Sequence, residues 1–174
     1  MSNIVQLKKA ITSTNFAELV KQRQAVKERC LLLDTSGSMS GQCDDGRSQY
    51  SHLLDLVENF PGERKFSFNN HCSEITDGTI PKPTGGTAMC GAFACVKGLG
   101  VRHAVLITDG AATDGNDDAV LLAAQGLKLD VFYVGPGEAP PILAALAKQT
   151  GGQFGKSDLK ETLLLTEKIK GLLT

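Results

Sequence analysis

The sequence predicts one α/β domain built on a doubly wound, mostly parallel sheet. Three observations lead there. The runs RCLLLD, HAVLIT and LDVFYVG are short and nearly continuously apolar, as strands buried on both faces must be. Segments of helical length and period separate them. Parallel strands joined this way need right-handed crossovers, which cover both faces of the sheet with helices. A chain of 174 residues suits a single domain with a sizeable core.

Taken in order, residues 16–28 read as a helix with Phe16, Leu19, Val20 and Ala25 on its apolar side. RCLLLD follows and ends at Asp34, and a loop rich in Ser and Gly runs from Thr35 to about Gly46. Residues 47–59 form an amphipathic helix with Leu53, Leu54, Leu56 and Val57 facing in, stopped by Pro61 and Gly62. KFSFNN and HCSEIT read as two short strands joined at Asn69–Asn70, in hairpin fashion. A turn-rich stretch then enters a helix of small residues, Thr87 to Gly98. HAVLIT ends at Asp109, residues 116–126 form a helix, and LDVFYVG is the third buried strand. PILAALAKQT is a helix with prolines at its start, where they are tolerated, and Gly151–Gly152 end it. Gln153–Phe154 read as a short edge strand, and residues 157–172 as a last helix. The domain is expected over 28–174, preceded by a helical extension at 1–27.

A net charge of -1 gives no global basic field for nucleic acid. Residues 1–30 nevertheless carry a local balance of +4, which reads as a solvated helix face with a docking surface as the sharper alternative. No apolar run approaches the roughly 20 residues needed to span a bilayer. The N-terminus MSNIVQLKKA lacks the apolar core of a signal peptide, so a cytoplasmic protein is expected, without membrane or nucleic-acid partners. Five cysteines, an odd number, fit reduced thiols better than a disulfide framework.

In doubly wound sheets, ligands bind beyond the carboxyl ends of the strands. The polar residues at those ends are therefore the candidates. Asp34-Thr35-Ser36-Gly37-Ser38 follows the first buried strand, and Thr108-Asp109-Gly110 ends the second. A third polar loop, Thr84-Gly85-Gly86-Thr87, enters a helix on the same rim. Carboxylate and hydroxyl oxygens suit a hard cation such as Mg2+, Mn2+ or Ca2+. In D-x-S-x-S, alternate residues of an extended loop point the same way, so one segment supplies three oxygens. Glycines at 37, 85, 86 and 110 would let backbone approach backbone. Two carboxylates with neutral hydroxyls leave a coordination position for water or an incoming carboxylate.

At these residues the chain resembles a von Willebrand factor A domain carrying a metal-ion-dependent adhesion site, or MIDAS. The resemblance rests on Asp34, Ser36 and Ser38 in DTSGSM, Thr87 in GGTAM and Asp109 in LITDG, and it spans roughly residues 28–172. D-x-S-x-S alone is a weak string. Three motifs in order, each at the correct end of its element, are specific. The resemblance implies a Rossmann-like sheet flanked by helices, and metal-dependent binding of a protein that supplies Asp or Glu to the ion. DTSGSM looks more like the intracellular branch of the family, whose members often work beside AAA-type ATPases. No G-x-x-x-x-G-K-[ST] is present, so such an ATPase would be a separate chain. The family pattern departs here in two ways: long specificity loops are missing, and the N-terminal helix is additional.

Blander readings stand beside these. Ser, Thr and Asp also cap helices, and a capping cluster is the alternative for all five residues. Thr108 and Ser40 are expected to support the loop backbone. Cys43 with Asp44 and Asp45, and His71 with Cys72, match no standard zinc spacing and read as incidental. Cys90 and Cys95 read as core, and His103 as a strand-opening residue without a special role. A bound metal can also hydrolyse or transfer phosphate. However, the D-x-D-x-T of haloacid-dehalogenase-type phosphatases has Ser36 at its third position here, and a serine nucleophile would want G-x-S-x-G and a late histidine. A binding module without enzymatic activity is therefore expected ahead of a hydrolase, and ahead of a structural subunit with an architectural metal.

Overall fold

The computed structural model describes residues 28–173 together with Glu18, Val20, Lys21 and Gln24. Those four are helical and exposed, and the rest of the helix expected at 16–28 and of the extension at 1–27 lies outside the described residues.

Six strands form one sheet in the order β3-β2-β1-β4-β5-β6. They are β1 (Arg29–Asp34), β2 (Arg64–Phe68), β3 (Cys72–Glu74), β4 (His103–Thr108), β5 (Lys128–Tyr133) and β6 (Phe154–Lys156). All pairings are parallel except β2 with β3, the hairpin expected around Asn69–Asn70. Among the described residues, four α-helices connect the strands, α1 (Gln49–Glu58), α2 (Met89–Gly98), α3 (Asp117–Ala123) and α4 (Pro141–Thr150), and α5 (Thr162–Leu173) follows β6.

The near-continuous apolar runs are explained by burial on both faces. Cys30 and Leu32 join Phe66, Phe93 and Leu143 in one core layer, under α2, α3 and α4. Leu31 and Leu33 point the other way, onto Leu53 and Leu56 of α1 and Leu165 and Ile169 of α5. Leu31, Leu32 and Leu33 are each fully buried, worth about 1.5–3 kcal/mol apiece in transfer free energy. The chain winds to one side of β1 through β2 and to the other through β4. The crevice at the carboxyl ends of β1 and β4 is therefore the topological switch point.

Among the departures from the sequence expectation, three change how the loops are built. Gly37–Ser40 is a 3-10 turn inside the predicted loop, and it drops Met39 into the core. The last helix starts at Thr162 rather than 157. Asp158 turns the chain first, its carboxylate accepting the Lys160 N–H and its carbonyl the Glu161 N–H. Thr87 and Ala88 precede α2 instead of opening it: Ala88, at φ -81 and ψ 76, is not helical, and the Thr87 N–H is taken up by Thr113 Oγ1.

Candidate metal centre

Parallel pairing puts Leu33 of β1 beside Ile107 of β4, so the next residues, Asp34 and Thr108, leave the sheet side by side. Thr108 Oγ1 donates to Asp34 Oδ2 at 2.6 Å, and the Ser36 N–H donates to Asp34 Oδ1 at 2.8 Å. The Ser36 and Ser38 hydroxyls lie 3.0 Å apart. Ser38 Oγ in turn donates to Asp109 Oδ1 at 2.7 Å. Four of the five expected residues therefore form one hydrogen-bonded cluster across the ends of β1 and β4. It runs from Asp34, fully buried, through Ser36, nearly so, to the exposed Ser38.

The second loop is stitched onto the first. The Thr84 N–H donates to the Thr35 carbonyl at 2.9 Å, and the Gly37 N–H to the Gly85 carbonyl at 3.0 Å. Gly85 has φ +69 and sits against the Asn70 side chain, where a Cβ would come within 2.8 Å of Asn70 Nδ2, so this position requires glycine. Gly110 makes no such close approach, contrary to the expectation for it. Thr87 follows two residues after Gly85 and is 5% exposed. Its N–H and carbonyl are both held by Thr113, and its hydroxyl makes no hydrogen bond among the described residues.

The electrostatics are those of a site waiting for positive charge. Burial pushes the Asp34 carboxyl up to about 6, and hydrogen bonds from Ser36 and Thr108 only partly offset it, while the neighbouring Asp109 charge adds a little. Burial also raises Asp109, against the bond from Ser38. Neither carboxylate has a Lys, Arg or His partner among the described residues. Ionising a fully buried carboxylate without a cationic partner is costly, and a bound divalent cation would offset that cost. The donor set, two carboxylates and three hydroxyls, fits a hard divalent ion.

Several supporting residues escaped the sequence reading. Thr113 braces the Thr87 loop, and Asp114 accepts the N–H groups of Cys90 and Gly91 at the start of α2. The signal was available, because T-D-G occurs twice, at 108–110 and 113–115. Asn70 Oδ1 accepts the Gly86 N–H. Thr108 and Ser40 do support the loops, Ser40 Oγ donating to the Gly37 carbonyl. His103 has a partner after all: its Nε2 lies 2.6 Å from Oδ2 of the fully buried Asp130. Cys90 and Cys95 are half-buried at the core's margin rather than inside it, and all five cysteines are free thiols. The fold also brings His52 beside Cys43 and Asp45, a neighbour their sequence spacing did not suggest. No described helix is long and apolar enough to cross a membrane.

No protein-family model matches the sequence. No curated protein matches it either. Solved structures do match. A von Willebrand factor type A protein from Catenulispora acidiphila aligns with a TM-score of 0.63 at 18% identity, over 83% of this chain and 41% of that one. Proximal thread matrix protein 1 from the mussel byssus aligns with a TM-score of 0.57 at 17% identity, over 83% of this chain and 45% of that one. A further structure of the mussel protein, described as having a zinc-occupied MIDAS motif, aligns with a TM-score of 0.55 at 17% identity, over 81% of this chain and 44% of that one. The chain thus spans less than half the length of these matched chains. With the sheet order, the flanking helices and the rim of polar loops, these likenesses give the chain the fold of the von Willebrand factor type A domain.

Proposed function

We propose that this domain is a metal-dependent protein-binding module, in which Asp34, Ser36, Ser38, Thr87 and Asp109 hold one divalent ion directly or through water. The observation that carries the reading is Asp34: a fully buried carboxylate, raised by burial and lacking a cationic partner, hydrogen-bonded into a cluster that opens to solvent at Ser38. Once bound, such an ion offers an open coordination position to an acidic side chain of a partner. Asp34 supplies charge at the buried end of the site, and Asp109, reached through Ser38, supplies it at the rim. The Gly37–Gly85 backbone bond keeps the Thr87 loop against the first loop.

Magnesium is the ion we favour, with manganese and calcium as alternatives. The zinc-occupied motif of the mussel protein widens the set to zinc. The partner is a protein that presents Asp or Glu, with a separate AAA-type ATPase or its complex as one candidate in an intracellular setting. A purely binding role is favoured over hydrolysis because, among the described residues, the hydrogen bonds of the cluster involve no histidine or lysine base.

Calorimetric titration of metal-stripped protein with Mg2+ and then Mn2+ tests the reading. One saturable equivalent is expected in the native chain, and none of it in Asp34→Ala, which should keep its far-ultraviolet circular dichroism. Unchanged affinity in the variant sinks the assignment.

A further inference from the structure

A second cluster of ligating side chains lies in the loop that follows the first metal motif. Residues 41–48 close on themselves. Gln42 bridges Ser48, the Cys43 N–H donates to the Arg47 carbonyl, and the Gly46 N–H donates back to the Cys43 carbonyl. This compact loop faces the first turn of α1, where His52 projects. Cys43 Sγ, a carboxylate oxygen of Asp45 and a ring nitrogen of His52 all lie within 4.8 Å of one another.

Four features mark this as more than a chance meeting. His52 is 4% exposed, and its Nε2 has no hydrogen-bond partner although it sits 2.9 Å from Asp45 Oδ2. The two atoms are close but misaligned for an N–H bond, an arrangement suited to two groups facing a common third atom. Asp45 Oδ1 is taken up by the Arg47 N–H, which leaves Oδ2 toward the histidine. The nearby cations are engaged elsewhere: Arg47 with Asp55, and Lys160 with Asp44 and Asp158. Gln49 Oε1, also buried without a partner, lines the same cleft as Cys43.

We infer that Cys43, Asp45 and His52 form a second metal site, for zinc or another borderline transition ion, separate from the all-oxygen centre. A thiolate, an imidazole and a carboxylate suit Zn2+ and not Mg2+ or Ca2+, which take oxygen ligands. Bond lengths of about 2.0–2.3 Å in a tetrahedron place such ligands roughly 3.3–3.6 Å apart. The ligand atoms already lie within 4.8 Å of one another, so side-chain adjustment within the loop reaches that spacing. Three protein ligands leave a fourth position for water. Such an ion ties the loop after Ser36 and Ser38 to α1. The spacing C-x-D-x6-H hides this site from pattern reading, because its histidine belongs to the next element.

Cobalt titration of the metal-stripped full chain tests the site, since only a thiolate ligand gives a sulfur-to-cobalt charge-transfer band in the near ultraviolet. We expect that band to saturate at one equivalent, to bleach on adding zinc, and to persist in Asp34→Ala. It should vanish in Cys43→Ser. In Asp45→Asn, a substitution at an exposed side chain that leaves the fold intact, cobalt affinity should fall by more than the roughly 10- to 100-fold typical of a residue that only supports a ligand. A missing band, or one that Cys43→Ser leaves unchanged, overturns the proposal and reduces the cluster to a histidine–aspartate contact beside a thiol. A band lost in Asp34→Ala as well would overturn the claim that the two sites are separate.

Discussion

Asp34→Asn is expected to stabilise the metal-stripped domain at neutral pH while abolishing its stabilisation by Mg2+. Asp34 is fully buried, and its carboxyl is raised from 3.8 to about 6, chiefly by desolvation. A carboxyl raised on folding favours the neutral form, so its contribution to stability is complete below about pH 3.8 and lost as pH rises through about 6. The shift of roughly 2 units corresponds to about 3 kcal/mol withheld from the metal-free fold at pH 7. Asparagine removes that cost. It keeps an oxygen for the Ser36 N–H and offers its amide to the Thr108 hydroxyl, so imperfect rebonding should return no more than about 1 kcal/mol. A net gain of about 2 kcal/mol is expected above pH 6, shrinking toward zero at pH 4. Urea unfolding in EDTA, compared between the two proteins across that range, measures it. An asparagine variant less stable than the native chain at pH 7, or a difference that does not change with pH, would refute the reasoning.

Other sites give independent checks. Ser38→Ala removes the 2.7 Å bond to Asp109 at an exposed position, so it should cost no more than about 1 kcal/mol of stability while weakening Mg2+ binding in calorimetry. Asp130→Ala strips the buried partner of His103 and the acceptor of the Gln153 N–H, and should cost about 1–3 kcal/mol by urea unfolding. Adding His103→Ala should restore part of that loss, because the stranded imidazole is then gone. Gly152→Ala drives a Cβ into the Leu129 carbonyl, where backbone cannot yield, and should lower stability by about 3 kcal/mol.

The sheet was legible because parallel strands buried on both faces leave a strong sequence trace. RCLLLD and HAVLIT could hardly be anything else, and the polar residue ending each run marked the rim. Asp34, Ser36, Ser38 and Asp109 were findable for the same reason: each lies at the end of a legible strand, and the structure joins them. Thr87 was picked out through GGTAM alone, because its loop is held by the Thr84 N–H donating to the Thr35 carbonyl and the Gly85 carbonyl accepting the Gly37 N–H, bonds that leave no side-chain pattern. Asn70 and Thr113 act through single side-chain contacts between loops distant in sequence, 16 and 26 residues from the groups they hold. The His103–Asp130 pair joins adjacent strands diagonally, Asp130 lying two residues beyond Lys128, the register partner of His103, and the alternation of either strand alone could not reveal it. The start of α5 was misplaced because Asp158 competes locally for the backbone N–H groups that would have opened the helix.

Crystals grown with Mn2+ and measured for anomalous scattering test the central claim most directly, since manganese favours oxygen ligands and reports its own position. The account predicts one anomalous peak at the carboxyl ends of β1 and β4, within coordination distance of Ser36 and Ser38 oxygens and, directly or through water, of Asp34, Thr87 and Asp109. Manganese bound elsewhere, with the Asp34 carboxyl still hydrogen-bonded only to Ser36 and Thr108, would contradict it.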